Sequence, residues 1–94
     1  SNLIAMVEAE TDLFVLSSIY LANVYRDQGN FASALEVLQG ARVEGITDIV
    51  LMEEAEIYLQ QEDSEKAKET LQLLIQENPK SVYLAKAKQM LELL

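Results

Sequence analysis

The sequence contains no cysteine and no histidine among its 94 residues. Without cysteine there is no disulfide and no thiolate metal site, and the composition leaves the redox compartment open. Without histidine the chain lacks the commonest general base and the commonest transition-metal ligand. We therefore expect no enzymatic activity, no metal site and no cofactor.

Basic residues are also scarce. Seven Lys and Arg stand against sixteen Asp and Glu, which gives a net charge of −9. Because phosphate backbones bind clustered Lys and Arg, we expect no nucleic-acid partner. The chain has no run of about eighteen apolar residues, so we expect no membrane insertion in this segment. Residues 1–6 carry no initiator methionine and no basic region, and we interpret them as a cut end.

Acidic residues are plentiful, and the question is whether any of them is catalytic. A catalytic acid pair needs two carboxyl groups in different environments within a pocket. The acids here lie on predicted helix surfaces and turns, so we expect them to be solvated: Glu53, Glu54, Glu56, Glu62, Asp63 and Glu65.

Proline and glycine are rare, with one and three residues, whereas half of the chain is apolar. Such a chain can form long helices and bury a core. Apolar residues recur at intervals of three and four along most of its length, which is the spacing of one helix face. The sequence thus predicts a single small all-α domain of about five helices.

The beginning of the chain allows two interpretations. Either Thr11 or Asp12 caps a helix that starts near Leu13, or residues 3–28 form one continuous helix. In both cases Gly29 is expected to end the helix, because glycine adopts a left-handed conformation at little cost.

Three further residues predict where the later helices begin and end. Gly45 is expected to end the second helix, with Gly40 inside it at a close contact between helices. Pro79 is expected at the first position of the last helix, which runs to residue 94.

Four positions of the chain repeat at a fixed interval. Each of four residues recurs 33 positions later: Ala22, Tyr25, Ala34 and Leu38 return as Ala55, Tyr58, Ala67 and Leu71. A period of this length is typical of helical-repeat proteins, in which each pair of helices packs on the next.

With these residues the sequence resembles the tetratricopeptide repeat, a pair of antiparallel helices of about 34 residues. The family's marker positions fall in the first unit on Leu21, Ala22, Tyr25, Gly29, Phe31, Ala34, Leu38 and Ala41. In the second unit they fall on Ala55, Tyr58, Ala67, Leu71 and Pro79. Other marker positions depart from the pattern, and the repeats are divergent: Ser18, Ile46, Glu54, Glu62 and Leu74.

The resemblance implies an α-solenoid fragment that occupies residues 1–94. Residues 1–12 would be a flanking helix or the chain end, 13–46 and 47–79 the two repeats, and 80–94 a C-terminal capping helix. Residues 77–85 look like repeat segments of bacterial envelope-associated tetratricopeptide-like proteins. The bacterial cytoplasm and periplasm are both compatible with the sequence.

In this family the first helices of the repeats line a groove that binds a peptide or helix of another protein. The resemblance therefore implies a scaffold or adaptor, with groove positions at Leu16, Ile19, Asn23, Arg26, Ile49, Met52, Glu56 and Leu59. A clamp for a terminal carboxylate is disfavoured, because the position of its lysine holds Ile19 and the second asparagine position holds Glu53.

Both chain ends are apolar, whereas a terminal repeat normally has a polar outer face. This pattern favours an alternative, a structural domain that forms a homo-oligomer through Leu3, Ile4, Val7, Met90, Leu91 and Leu94. A second alternative is an accessory domain of a larger enzyme or of a membrane-anchored protein.

Overall fold

The structure is a computed structural model that describes residues 2–43 and 46–94, without the side chains of residues 2–5 and 7. The described residues form five helices: α1 (Asn2–Asp27), α2 (Phe31–Gly40), α3 (Asp48–Gln60), α4 (Ser64–Glu77) and α5 (Leu84–Glu92). No strand occurs within these ranges. The predicted all-α fold of about five helices is confirmed.

Consecutive helices pack on one another in the order of the chain. Helices α1 and α2 form one antiparallel pair, and α3 and α4 form a second. Helix α3 also contacts α2 and α1, and α5 packs against α4. The result is a flat body of 44 × 31 × 15 Å in which α1, α3 and α5 each begin a new layer.

The repeated alanines are all buried in the two pairs. Ala22 and Ala34 are buried together with Leu38 in a cluster between α1, α2 and α3. Their counterparts Ala55 and Leu71 are buried in a second cluster, between α3, α4 and α5. Small residues are required because they allow two helices to approach closely.

The turn within each pair has the same geometry. After α1, the Asn30 amide donates to the Tyr25 carbonyl at 2.9 Å, and Gly29 adopts a φ of 75°. After α3, the Asp63 amide donates to the Tyr58 carbonyl at 2.9 Å, and Glu62 adopts a φ of 60°. This is the Schellman arrangement, which favours glycine at the left-handed position. The second pair therefore places a side chain where the first has none.

This difference predicts that Glu62→Gly stabilises the protein, although glycine usually destabilises. A side chain in the left-handed conformation costs roughly 1–2 kcal/mol of folded-state stability. Glycine removes this cost but increases the conformational entropy of the unfolded chain, which cancels part of the gain. We expect a net gain of about 0.5–1 kcal/mol, measured by urea denaturation. Gln61→Gly, one residue earlier at a φ of −82°, is the control and should destabilise. A destabilising Glu62→Gly would contradict the prediction.

The first two helices differ in part from the prediction. Residues 3–27 lie in one continuous helix, so neither Thr11 nor Asp12 begins a new one. Helix α2 ends at Gly40 rather than at Gly45, which lies outside the described residues. A Cβ added to Gly40 would meet nothing within 4 Å, so the predicted close helix contact there is wrong.

The last helix begins at Leu84, so the prediction that it starts at Pro79 is wrong, and it ends at Glu92 rather than at residue 94. The cause lies in side chains of the preceding turn. Asn78 donates from Nδ2 to Thr47 Oγ1 at 2.9 Å, and Ser81 donates its hydroxyl to Asp48 Oδ2. These bonds tie the turn to the start of α3 and hold it out of a helix.

Candidate functional site

A strip of polar side chains crosses the first helices of the successive layers, α1, α3 and α5. Arg26 Nη1 lies 3.6 Å from Glu53 Oε2 and 3.6 Å from Glu56 Oε2. Arg26 Nε donates to Gln60 Oε1. Lys86 Nζ, on α5, lies 3.3 Å from Glu56 Oε1. We call Arg26, Glu53, Glu56, Gln60 and Lys86 the polar strip.

The strip is held by weak interactions. Its charged side chains are all partly exposed, and ion pairs of this kind contribute about 0–1 kcal/mol each. Partial burial raises the pKa of Glu53, and the nearby Glu56 raises it further, whereas Arg26 and Lys86 oppose the shift. The strip therefore contains polar groups that a ligand could recruit at small cost to the fold.

The structure places the predicted groove residues in three environments. Leu16 is 57% exposed and lies two helical turns before Asn23 on the same side of α1. Met52 is buried in the second core cluster, so it does not line an open surface. The other six are half-buried: Ile19, Ile49, Asn23, Arg26, Glu56 and Leu59. Of these, Ile19 and Ile49 pack against the first core cluster.

Three residues of the polar strip are not among these eight groove positions: Glu53, Gln60 and Lys86. Glu53 precedes Glu56 by three residues, and this spacing alone could have placed both on one side of α3. The sequence did not indicate Lys86, because the last helix was predicted to begin at Pro79 but begins at Leu84.

A second polar feature is buried. Glu54 is 0% exposed, although it was predicted to be solvated, and this prediction is wrong. Arg42 reaches it from the segment between α2 and α3, donating from Nε to Oε2 at 2.8 Å and from Nη2 to Oε1 at 2.6 Å. The hydrogen bond to Glu54 raises the pKa of Arg42, against an opposing effect of burial.

The pair satisfies the buried member, Glu54, whereas the Arg42 side chain is 36% exposed. Every buried side-chain nitrogen and oxygen of the described residues has a hydrogen-bond partner. Because both carboxylate oxygens of Glu54 are occupied by Arg42, we assign the pair a structural role.

The two chain ends differ from each other. Met90, Leu91 and Leu94 pack against the second core cluster, so they do not form the uncovered surface that was predicted. The side chains of Leu3, Ile4 and Val7 lie outside the described residues. Of the residues that follow them on α1, several large apolar ones are exposed: Met6, Leu13, Phe14, Leu16, Tyr20 and Leu21.

Two other kinds of site, a metal site and a membrane-spanning helix, are absent from the described ranges. In residues 2–43 and 46–94, no group of three or more acidic side chains is arranged to hold a metal ion. Over the same residues, no helix combines the length and the apolar character that crossing a bilayer requires.

Successive antiparallel pairs with equivalent buried alanines define a helical-repeat protein. Residues 50–81, which span most of α3, all of α4 and the turn after it, match the tetratricopeptide repeat family. The fold is therefore of the tetratricopeptide-repeat type, and the predicted resemblance is confirmed, with divergent repeats. No match was found among curated proteins or among solved structures. The narrower likeness to bacterial envelope-associated proteins stays a prediction.

Proposed function

We propose that this protein is a non-catalytic interaction module, a scaffold or adaptor, that binds a segment of a partner protein across α1, α3 and α5. The tetratricopeptide repeat in residues 50–81 supports the general class, because such repeats typically serve protein–protein interaction. The bound segment would be an extended peptide or a helix.

The observation that carries the proposal is that exposed Leu16 lies on the same side of α1 as Arg26 of the polar strip, about 15 Å earlier along the helix. Leu16, Asn23 and Arg26 follow one another at intervals of seven and three residues, so they share one side of α1. Peptide sites usually combine exposed apolar side chains with a few polar groups. The apolar contacts contribute affinity, and the polar groups fix the position and direction of the bound peptide.

The charge of the protein indicates the chemistry of the partner. With a net charge of −9, the domain attracts basic segments and repels acidic ones during encounter. The partner segment is therefore proposed to carry at least one large apolar residue for Leu16 and a Lys or Arg for Glu53 or Glu56.

A library of random peptides displayed on phage tests this proposal. Peptides selected on the immobilised protein should be basic and apolar. Leu16→Ser should weaken a selected peptide by at least fivefold, since removing a central apolar contact costs about 1–2 kcal/mol. Leu93→Ser is the matched control, because Leu93 is also an exposed leucine but lies after α5, and it should leave the affinity unchanged.

Two results would contradict the proposal. One is a selection in which no peptide is enriched on the immobilised protein relative to the same support without protein. The other is an amide chemical-shift map in which the selected peptide perturbs α2 and α4 and leaves α1 and α3 unchanged.

A further inference from the structure

Helix α1 is apolar on its outer side as well as on its core side. Val15 and Ala22 are buried in the core cluster. Of the eight large apolar side chains that are exposed in the described residues, six lie on this one helix. A helix that is apolar all round is normally covered all round. We define the outer face of α1 as Met6, Leu13, Phe14, Tyr20 and Leu21.

The size of this face matches what a dimer requires. At roughly 200 Å² for a fully exposed large side chain, the exposed fractions of the five residues amount to about 600 Å². A standard interface buries about 800 Å² per partner, of which about 65% is apolar in homodimers. The outer face alone therefore supplies the apolar area of one homodimer interface.

The opposite end of the molecule exposes only two large apolar side chains in the described residues, Val82 before α5 and Leu93 after it. The apolar residues of α5 pack inwards, and four of its exposed side chains are alanine or polar: Ala85, Lys88, Gln89 and Glu92. A head-to-tail contact would set the apolar face of α1 against this polar surface. A two-fold contact sets the apolar face against itself, and two-fold dimers are the commonest oligomers.

We propose that a second copy of this chain covers the outer face of α1, in a two-fold dimer whose α1 helices are antiparallel. Met6, Leu13 and Tyr20 form a row at seven-residue intervals that is symmetric about Leu13. Antiparallel pairing therefore sets Leu13 against the partner copy's equivalent leucine and Met6 against its equivalent tyrosine. This surface is separate from the polar strip, and the proposal goes beyond peptide binding.

Charge selects the antiparallel direction. A parallel pair would set each copy of Glu8 and of Glu10, both exposed, beside its equivalent in the other helix. Antiparallel pairing about Leu13 separates the two copies of Glu10 by about 9 Å and those of Glu8 by about 15 Å along the helix axis, and leaves Asp12 about 3 Å from its equivalent. At physiological salt, exposed charges more than about 8 Å apart are largely screened.

Sedimentation of the full chain over a wide range of concentrations tests the interface. The wild type should pass from monomer to dimer, and Leu13→Glu should raise the dimer Kd by at least tenfold, as expected for a central interface residue. Tyr20→Glu should act in the same way. Both residues are mainly exposed in one chain, so far-UV circular dichroism should remain that of the wild type.

Leu93→Glu is the matched control, since Leu93 is 82% exposed at the other end of the molecule. It should leave the dimer Kd unchanged. A wild type that stays monomeric at millimolar concentration would overturn the proposal. Equal loss of association in Leu93→Glu and Leu13→Glu would also overturn it, because that result indicates a head-to-tail contact.

Engineered cysteines test the direction, because the chain has none of its own. Leu13→Cys should form a disulfide-linked dimer on mild oxidation, since the two copies meet at the symmetry axis. Met6→Cys should not, because its two copies would be about 21 Å apart along the helix axis, beyond the reach of a disulfide. Efficient cross-linking of Met6→Cys as well as Leu13→Cys would show a parallel pair and overturn the arrangement.

Leu16 is three residues from Leu13 and four from Tyr20, so the two surfaces adjoin on α1. The two proposals are therefore tested apart in the Leu13→Glu background, where the dimer is lost: a selected peptide should still bind Leu13→Glu, and adding Leu16→Ser should weaken it.

Discussion

Replacing Arg42, whose side chain is 36% exposed, with alanine is expected to lower the free energy of unfolding by about 1–3 kcal/mol. The reason is that the substitution removes the hydrogen-bond partner of Glu54. This carboxylate is fully buried, and both of its oxygens accept from the guanidinium. Without Arg42, a charged group would remain in the interior with no partner. Urea denaturation followed by circular dichroism measures the loss, which is a large part of the stability of a domain of this size.

The control for this prediction is the other paired arginine. Arg26 contacts Glu53 and Glu56 at 3.6 Å, but all three side chains are partly exposed. Arg26→Ala should therefore cost at most about 1 kcal/mol. The double substitution of Arg42→Met with Glu54→Leu should recover most of the stability, because an apolar pair of similar volume needs no compensating charge. Equal losses for Arg26→Ala and Arg42→Ala would contradict the assignment.

Ala34→Leu is expected to destabilise the protein by about 1–3 kcal/mol. Ala34 has no exposed surface and lies in the same cluster as Ala22 and Leu38, where α1 and α2 are in contact. A leucine there would force the two helices apart or adopt a strained rotamer. Thermal and urea unfolding of the variant measure the effect.

The control is Glu36→Gln, two residues further along α2, where the side chain is exposed. This substitution should change the stability by no more than about 0.5 kcal/mol. If the two substitutions had equal effects, the helix packing around Ala34 would differ from the one described.

The repeat was predictable from the sequence because it depends on local chemistry. Small residues that recur every 33 positions have one simple explanation, the close approach of equivalent helices. Gly29 ended α1 as expected, since its left-handed conformation is a property of the residue itself. Asp63 caps α4 by accepting from the Lys66 amide, and such a cap needs no tertiary partner.

The buried ion pair was not predictable in the same way. Glu54 stands where the family has an apolar residue, and the sequence marks it only as a departure. Its partner is twelve residues away, in a segment whose path depends on where α2 ends. Because the predicted end of α2 was too late, Arg42 was assigned to a helix and could not be paired.

The same limit applies to the candidate site. The residues of α1 and α3 could be placed on one surface by helical periodicity, although Met52 proved to be buried. Lys86 could not be placed on that surface from the sequence. Its position depends on where α5 begins, and hydrogen bonds from Asn78 and Ser81 to the start of α3 determine the turn before α5. A proline predicts a helix start only where no such bonds compete with it.

The position of Arg42 also bears on how the protein unfolds. Repeat arrays whose units touch only through apolar surfaces can open one unit at a time. Here the segment that joins the two helix pairs supplies the counter-ion for the interior of the second pair. If that segment detaches, Glu54 loses both of its hydrogen bonds to Arg42, so partial opening at the junction is penalised. This coupling favours the joint unfolding of the two units, despite their repeating construction.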